Sequence, residues 1–108
     1  MNWEDCKNRK VAKEISMDHG LFSSLIKVSK DKMNSQKLLP LNQSTTTSKI
    51  SLAYDSLREL LEAFALQSGF KIYNHECYTS FLKESIKDTT LGDKFDIIRK
   101  LRNAINYY

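Results

Sequence analysis

The chain has 108 residues, a length typical of one domain with a sizeable hydrophobic core. Hydrophobic residues make up 41% of it, and only three glycines and one proline are present, which favours helices over a turn-rich β fold. The charged fraction, 28%, is ordinary for a soluble protein, and no apolar run approaches the ~20 residues that a bilayer-spanning helix needs. We therefore expect no membrane protein.

The net charge of +4 is unevenly distributed along the chain. Residues 1–54 hold nine Lys/Arg and five Asp/Glu, whereas residues 55–108 hold eight of each. A basic half of this kind is typical of a surface that attracts nucleic acid. A solvated, lysine-rich helix surface explains the same charge and remains the alternative.

The cysteines and histidines are isolated from one another in sequence. Cys6 and Cys77 lie far apart, and His19 and His75 have no close ligand beside them. A structural zinc site needs four ligands, usually in close pairs, so we expect no metal and no cofactor. The sparse cysteines fit a reducing compartment, and the charged N-terminus lacks the apolar region of a signal peptide, so the predicted location is the cytoplasm.

The first half of the chain is predicted to form two helices and a loop. Residues 2–16 carry a thin apolar stripe with Trp3 as its anchor. Asp18 is a suitable N-cap for a second helix over residues 19–39. A proline opens the polar stretch 40–48, which we predict to be a loop within the domain.

The strongest helical pattern covers residues 49–68, with Ser48 or a neighbouring threonine as its expected cap. Gly69 is predicted to end this helix in the left-handed conformation, and Asn74 is predicted to cap a fourth helix over residues 75–87. Residues 88–92 are predicted to form a turn. The apolar residues that follow the i, i+3, i+4, i+7 spacing of the third helix are Ile50, Ala53, Tyr54, Leu57, Leu60, Leu61 and Phe64.

The last predicted helix, residues 93–108, attracts the most functional interest. Arg102 and Asn103 sit near the edge of its apolar stripe. A polar pair there must find partners or line a groove, because burying it unpaired costs a few kcal/mol. The expected buried face consists of Phe95, Ile98, Leu101 and Ile105, widened by Ile97, Ala104 and Tyr108.

These patterns predict an all-α fold, an antiparallel up-down bundle of four to five helices in one domain of residues 1–108. No period-2 strand pattern and no glycine-rich phosphate loop is present. His75 and Cys77, two residues apart on a helix, point in different directions, so no Cys-His nucleophile is expected. We predict His75 to face solvent from the first turn of its helix.

Two segments resemble the HEPN domain family. The stretch IIRKLRNAINYY, on the last helix of a small all-α bundle, is similar to the arginine–asparagine signature of HEPN domains. The helix AYDSLRELLEAFALQSGF resembles the central HEPN helix. The resemblance covers roughly residues 46–108, whereas the first two helices fit only by helix content and order.

The resemblance implies a symmetric dimer, and many members of the family work beside a minimal nucleotidyltransferase as toxin–antitoxin pairs. Active members are metal-independent ribonucleases with an Arg-x4–6-His motif, and two copies of the motif face each other across a cleft. Here Arg102 matches the motif arginine and Asn103 the polar residue behind it. The motif histidine is absent, because Asn106 and Tyr107 stand where it is expected, and neither titrates near neutral pH.

We therefore expect an HEPN-like binding or assembly module, dimeric, with a degenerate catalytic motif. Its candidate site consists of Arg102, Asn103, Asn106, Tyr107 and Arg99, and its ligand is RNA, a nucleotide or a partner nucleotidyltransferase. One alternative is an active metal-independent ribonuclease, the toxin of such a pair. Another is a purely structural helical module in which Arg102 and Asn103 satisfy loop carbonyls or pair across a dimer.

Overall fold

A computed structural model describes the backbone of residues 1–107 and the side chains of residues 1–105. Over this range the fold is a small all-α bundle, as predicted, with a minor two-stranded ladder. No helix in the described range combines the length and the hydrophobicity needed to cross a membrane. The elements are α1 (Trp3–Asn8), β1 (Ala12–Glu14), α2 (His19–Leu38), α3 (Thr46–Gln67), β2 (Phe70–Ile72), α4 (His75–Ser80), a π-helical continuation of α4 (Phe81–Ser85), and α5 (Thr89–Tyr107).

Helices α2 and α3 form the hairpin on which the bundle is built. Asp18 caps α2 as predicted, because its side chain accepts a hydrogen bond of 3.0 Å from the Leu21 N–H. Between the helices, the buried hydroxyl of Ser29 lies 3.0 Å from that of Ser56, and each also donates to the other residue's carbonyl. Two small residues at the crossing satisfy each other's polar groups, so the helices can approach closely.

The connection into α3 differs from the expected one. The helix begins at Thr46, so Ser48 lies inside it and is no cap, and Thr45 at the N-cap position makes no capping side-chain bond. The Asn42 side chain organises the loop instead, accepting the N–H groups of Ser44 and Thr45 at 2.9 and 3.1 Å. At the far end, Gly69 adopts φ +91° and ends α3 as predicted.

The first segment is a short helix followed by a strand, so the prediction of one helix over residues 2–16 is wrong. Helix α1 ends at Asn8, and Lys10 then takes a left-handed φ of +59°. Strand β1 pairs antiparallel with β2, which places Ala12 opposite Ile72 with both side chains buried. The strands are three residues long, too short to show an alternating pattern in sequence.

The cysteines are not isolated: Cys6 of α1 and Cys77 of α4 form a disulfide, with Cα atoms 6.1 Å apart. Both are completely buried. Trp3 anchors α1 as predicted, because its ring packs 5.1 Å from that of Phe70 and 5.3 Å from that of Phe81. The fold therefore joins two cysteines that are 71 positions apart.

Helix α5 begins four residues earlier than predicted. Thr89 opens it, and the Asp88 side chain caps it by accepting the Leu91 N–H at 2.9 Å, so residues 88–92 are not a separate turn. Gly92 lies on the buried side of α5 against α4. A Cβ at this position would lie 2.5 Å from Cγ of Lys83 and 3.2 Å from the Thr79 carbonyl oxygen, so any larger residue would force the Lys83 side chain to move.

The buried face of α5 is only partly the predicted one. Phe95 is buried, but Ile97, Ile98 and Leu101 are 67%, 37% and 52% exposed. The side of α5 that carries Arg102 packs against α3 instead, because the guanidinium stacks on an aromatic ring there. Apolar periodicity therefore predicted the helix correctly and its orientation incorrectly.

Removing the disulfide should destabilise the fold without changing its secondary structure. Cys6→Ser/Cys77→Ser is expected to lower the free energy of unfolding by about 2–4 kcal/mol, because a closed loop of this size restricts the unfolded chain. Urea unfolding with and without a thiol reductant measures the loss. The double variant should be insensitive to the reductant, and equal stability of the oxidised and reduced wild type would contradict the assignment.

Candidate functional site

Three helices contribute to a cluster beside the N-terminus of α4. The guanidinium carbon of Arg102, on α5, lies 5.5 Å from the centroid of the Tyr54 ring on α3. The Tyr54 hydroxyl lies 3.0 Å from Nδ1 of His75, the first residue of α4. We call Arg102, Tyr54 and His75 the Arg–Tyr–His cluster.

The Tyr54 ring is fixed by the core. It is almost completely buried and stacks on Phe95, with the ring centroids 6.0 Å apart. A buried ring that carries a cation on its face is worth about 0.5–2 kcal/mol, more as the pair is desolvated. The ring therefore offers the Arg102 guanidinium a contact within the bundle.

The protonation states within the cluster follow from burial and from the arginines around it. Burial raises the pKa of Tyr54, so its hydroxyl stays protonated at neutral pH. Burial, followed by the charges of Arg58 and Arg102, lowers the pKa of His75 below 6.5. The Tyr54 hydroxyl and Nδ1 of the neutral imidazole share one hydrogen bond, and the tautomer of His75 decides which of the two groups donates it.

Arg102 differs from the arginines nearest to it. Arg99 binds Asp96 at 2.6 Å, and the hydrogen bonds from Arg99 and Lys100 lower the pKa of Asp96 to about 2. Arg58 binds Glu62 at 3.3 Å. Among the described residues, Arg102 forms no ion pair with a carboxylate.

The Nε atom of Arg102 is buried and has no hydrogen-bond partner among the side chains described, and the same holds for Nε of Arg99. A buried donor without an acceptor costs about 1–3 kcal/mol. Of Arg58, Arg99 and Arg102, Arg102 is the one whose guanidinium has no carboxylate partner within the described residues.

The structure brings together only part of the predicted site. Arg102 and Arg99 lie on the buried side of α5, with Arg99 engaged by Asp96, whereas Asn103 is exposed. The side chains of Asn106 and Tyr107, and the whole of Tyr108, lie outside the described residues. Within the described range, no group of three or more His, Cys, Asp or Glu side chains is arranged to hold a metal ion.

Sequence reasoning missed the other two members of the cluster. Tyr54 reads as one more core residue of the central helix, and it is buried. His75 is exposed, as predicted, yet its Nδ1 faces inward to the Tyr54 hydroxyl. No local spacing signals this contact, because the two residues are 21 positions apart on different helices.

Replacing Arg102 should raise the pKa of His75, because a nearby cation disfavours the imidazolium. NMR titration of the imidazole is expected to place the wild-type pKa below 6.5 and to move it upward in Arg102→Gln. Because the folded-state pKa is the lower one, the neutral ring contributes stability above about pH 6.5 that is lost as the pH falls through the folded value. Lys100→Gln, an exposed cation on the same helix, is the control, and an unchanged or lower His75 pKa in Arg102→Gln would contradict the geometry.

Searches against protein-family models, curated proteins and solved structures find no match to this chain.

Proposed function

We propose that the chain is an HEPN-like binding module that forms a homodimer and binds a phosphate of RNA or of a nucleotide at the Arg–Tyr–His cluster. The observation that carries the proposal is the state of Arg102, whose guanidinium carbon lies 5.5 Å from the centroid of the Tyr54 ring and which lacks a carboxylate partner within the described residues. A phosphate would supply the anion that this guanidinium lacks.

The chemistry of the cluster suits a phosphate. A guanidinium presents parallel N–H donors that match two phosphate oxygens. In the tautomer in which Tyr54 donates to Nδ1, the neutral His75 adds an Nε2–H donor on a side chain that is exposed to solvent. Together they offer one fixed positive charge and one neutral donor, which favours a single phosphate over a carboxylate-lined metal centre.

The exposed apolar stripe of α5 supports the homodimer. Ile97, Ile98 and Leu101 are exposed together on one side of this helix, and Leu91 lies on the same side beyond the exposed Lys94. A group of exposed apolar side chains is typical of an interaction surface. Arg102 follows Leu101 directly. A second copy seated on the stripe about a two-fold axis would place two Arg102 side chains at the ends of one interface, so that both clusters border one cleft.

A partner nucleotidyltransferase is the other occupant that the resemblance implies for this stripe, and this assignment rests on the resemblance alone.

The cytoplasmic location also stays a prediction. The buried Cys6–Cys77 disulfide weighs against it, because structural disulfides persist mainly in oxidising compartments.

A specific observation favours the ribonuclease alternative. His75, on another helix, contacts Tyr54, whose ring also carries Arg102, so a histidine lies close to the arginine although α5 has none. A ribonuclease requires the tautomer in which Nδ1–H donates to the Tyr54 oxygen, because Nε2 then keeps the lone pair of a base acting on a ribose 2′-hydroxyl, while Arg102 would hold the phosphate. The purely structural alternative leaves Arg102 as a packing residue for Tyr54 and predicts no phosphate ligand.

Arg102→Ala should weaken the binding of a fluorescent RNA oligonucleotide by about tenfold or more, because one bidentate charge-assisted contact is lost. Fluorescence anisotropy measures the affinity, and Lys100→Ala serves as the matched control for loss of one positive charge on α5. Equal RNA affinities of wild type and Arg102→Ala would contradict the binding proposal and support the purely structural alternative. Cleavage of the RNA in the presence of a chelator, lost in His75→Gln, would replace the binding module with the ribonuclease.

Light scattering should give twice the chain mass of 12.5 kDa for the wild type. Ile97→Glu/Leu101→Glu is expected to yield a folded monomer, because two charges placed in an apolar interface disfavour association. Leu38→Glu, at an 85% exposed leucine of α2, is the matched control and should leave the dimer intact. A monomeric wild type at every concentration tested would contradict the dimer.

A further inference from the structure

The β-ladder carries a pair of like charges at its centre. Lys13 of β1 stands directly opposite Lys71 of β2. Like charges in directly opposed positions destabilise a ladder. Neither lysine forms an ion pair with a carboxylate within the part of the chain that the structure describes. The fold thus tolerates a repulsion that an external anion would relieve.

An exposed aromatic ring lies beside these two lysines. The ammonium nitrogens of Lys13 and Lys71 lie 5.5 and 5.7 Å from the centroid of the Tyr73 ring. Tyr73 is 57% exposed, and its backbone N–H donates to the Val11 carbonyl at 2.7 Å, so its backbone is held beside the ladder. An exposed ring with two cations near it offers both a stacking surface and charge, provided that the lysines move from the ring to the phosphates when a base stacks.

A cavity of about 460 Å³ adjoins the ladder and extends the positive charge. Lys10 lies at the cavity with a left-handed backbone, and it too forms no ion pair among the residues described. Lys7 is neutralised by Glu4 at 3.2 Å, and Glu14 is the one carboxylate in the lining. The lining consists of Lys7, Lys10, Ala12, Lys13, Glu14 and Phe70.

We propose that Lys10, Lys13, Lys71 and Tyr73, the lysine–tyrosine face, bind single-stranded nucleic acid. The three ammonium groups contact successive phosphates, and Tyr73 stacks on a base. Cations that follow a strand, combined with an aromatic platform, are the common means of binding single strands without reading their sequence. A duplex is disfavoured, because its bases are already stacked on one another and leave no face for Tyr73.

This face is distinct from the Arg–Tyr–His cluster and does not depend on it. The two sites are linked by the chain itself, because Tyr73 follows β2 directly and His75 begins α4 two residues later. A strand held by Tyr73 would therefore be retained close to the helix that carries His75. The face would supply affinity for the polymer, while Arg102 would supply one phosphate contact.

Fluorescence anisotropy with single-stranded RNA of about 12 nucleotides tests the proposal, at about 50 mM salt and then over a salt series. Lys13→Gln/Lys71→Gln is expected to weaken binding at least tenfold and to lower the salt slope by about 1.4, as expected for two phosphate contacts to a single strand. Tyr73→Leu should weaken binding about tenfold with an unchanged salt slope, because it removes stacking and no charge.

Lys30→Gln/Lys37→Gln removes two exposed, unpaired lysines of α2 and is the matched control for net charge. Circular dichroism and thermal unfolding verify that each variant is folded. The proposal is overturned if the control loses as much affinity as Lys13→Gln/Lys71→Gln, if a duplex of equal length binds as tightly as the single strand, or if anionic vesicles bind with the same lysine dependence and Tyr73→Leu has no effect on RNA.

Arg102→Ala separates this proposal from the function proposed above. RNA binding that survives Arg102→Ala but falls in Tyr73→Leu supports the lysine–tyrosine face and removes the cluster as the main phosphate site. RNA binding that is lost in Arg102→Ala and unchanged in the ladder variants supports the Arg–Tyr–His cluster and overturns the lysine–tyrosine face.

Discussion

The ring of Tyr54 is the point at which three helices of the bundle meet. It packs on Phe95 of α5 in the core, carries the Arg102 guanidinium on one face, and shares a hydrogen bond through its hydroxyl with His75 of α4. These contacts require α5 to turn its arginine side inward. The apolar side of the same helix is then left exposed, so one packing choice creates both the cluster and the stripe on which the proposed dimer depends.

The N-terminal segment holds α4 in place. The disulfide joins α1 to α4, Trp3 fills the aromatic core between Phe70 and Phe81, and the ladder fixes the residues that precede His75. Because His75 opens α4, any loosening of this segment should reach the cluster. The first fifteen residues therefore support the Arg–Tyr–His cluster, although none of them belongs to that cluster.

Apolar spacing and cap residues predicted the helices of this protein well. The Asp18 and Asn74 caps, the Gly69 stop and the start of α2 all follow from local chemistry that is visible in the sequence. The ladder did not, because three-residue strands are stabilised by their pairing and not by a pattern of their own. The disulfide is equally non-local, since no feature of the sequence near Cys6 predicts its pairing with Cys77.

The orientation of α5 shows why the site was only half predicted. Hydrophobicity favoured burying Ile98 and Leu101, but both are exposed in the structure. The side of α5 that faces the bundle carries Phe95 and Arg102 instead. Arg102 could be selected from sequence as a polar residue beside an apolar stripe. Its partners could not, because Tyr54 and His75 are brought to it only by tertiary packing.

The most direct test of the central claim is the NMR resonance of the Arg102 Nε–H during titration with a mononucleotide. If Tyr54 holds this guanidinium ready for a phosphate, the resonance should shift progressively and saturate, and it should move together with the His75 ring signals. A resonance that stays in place while signals elsewhere respond would show that the arginine is a packing residue only.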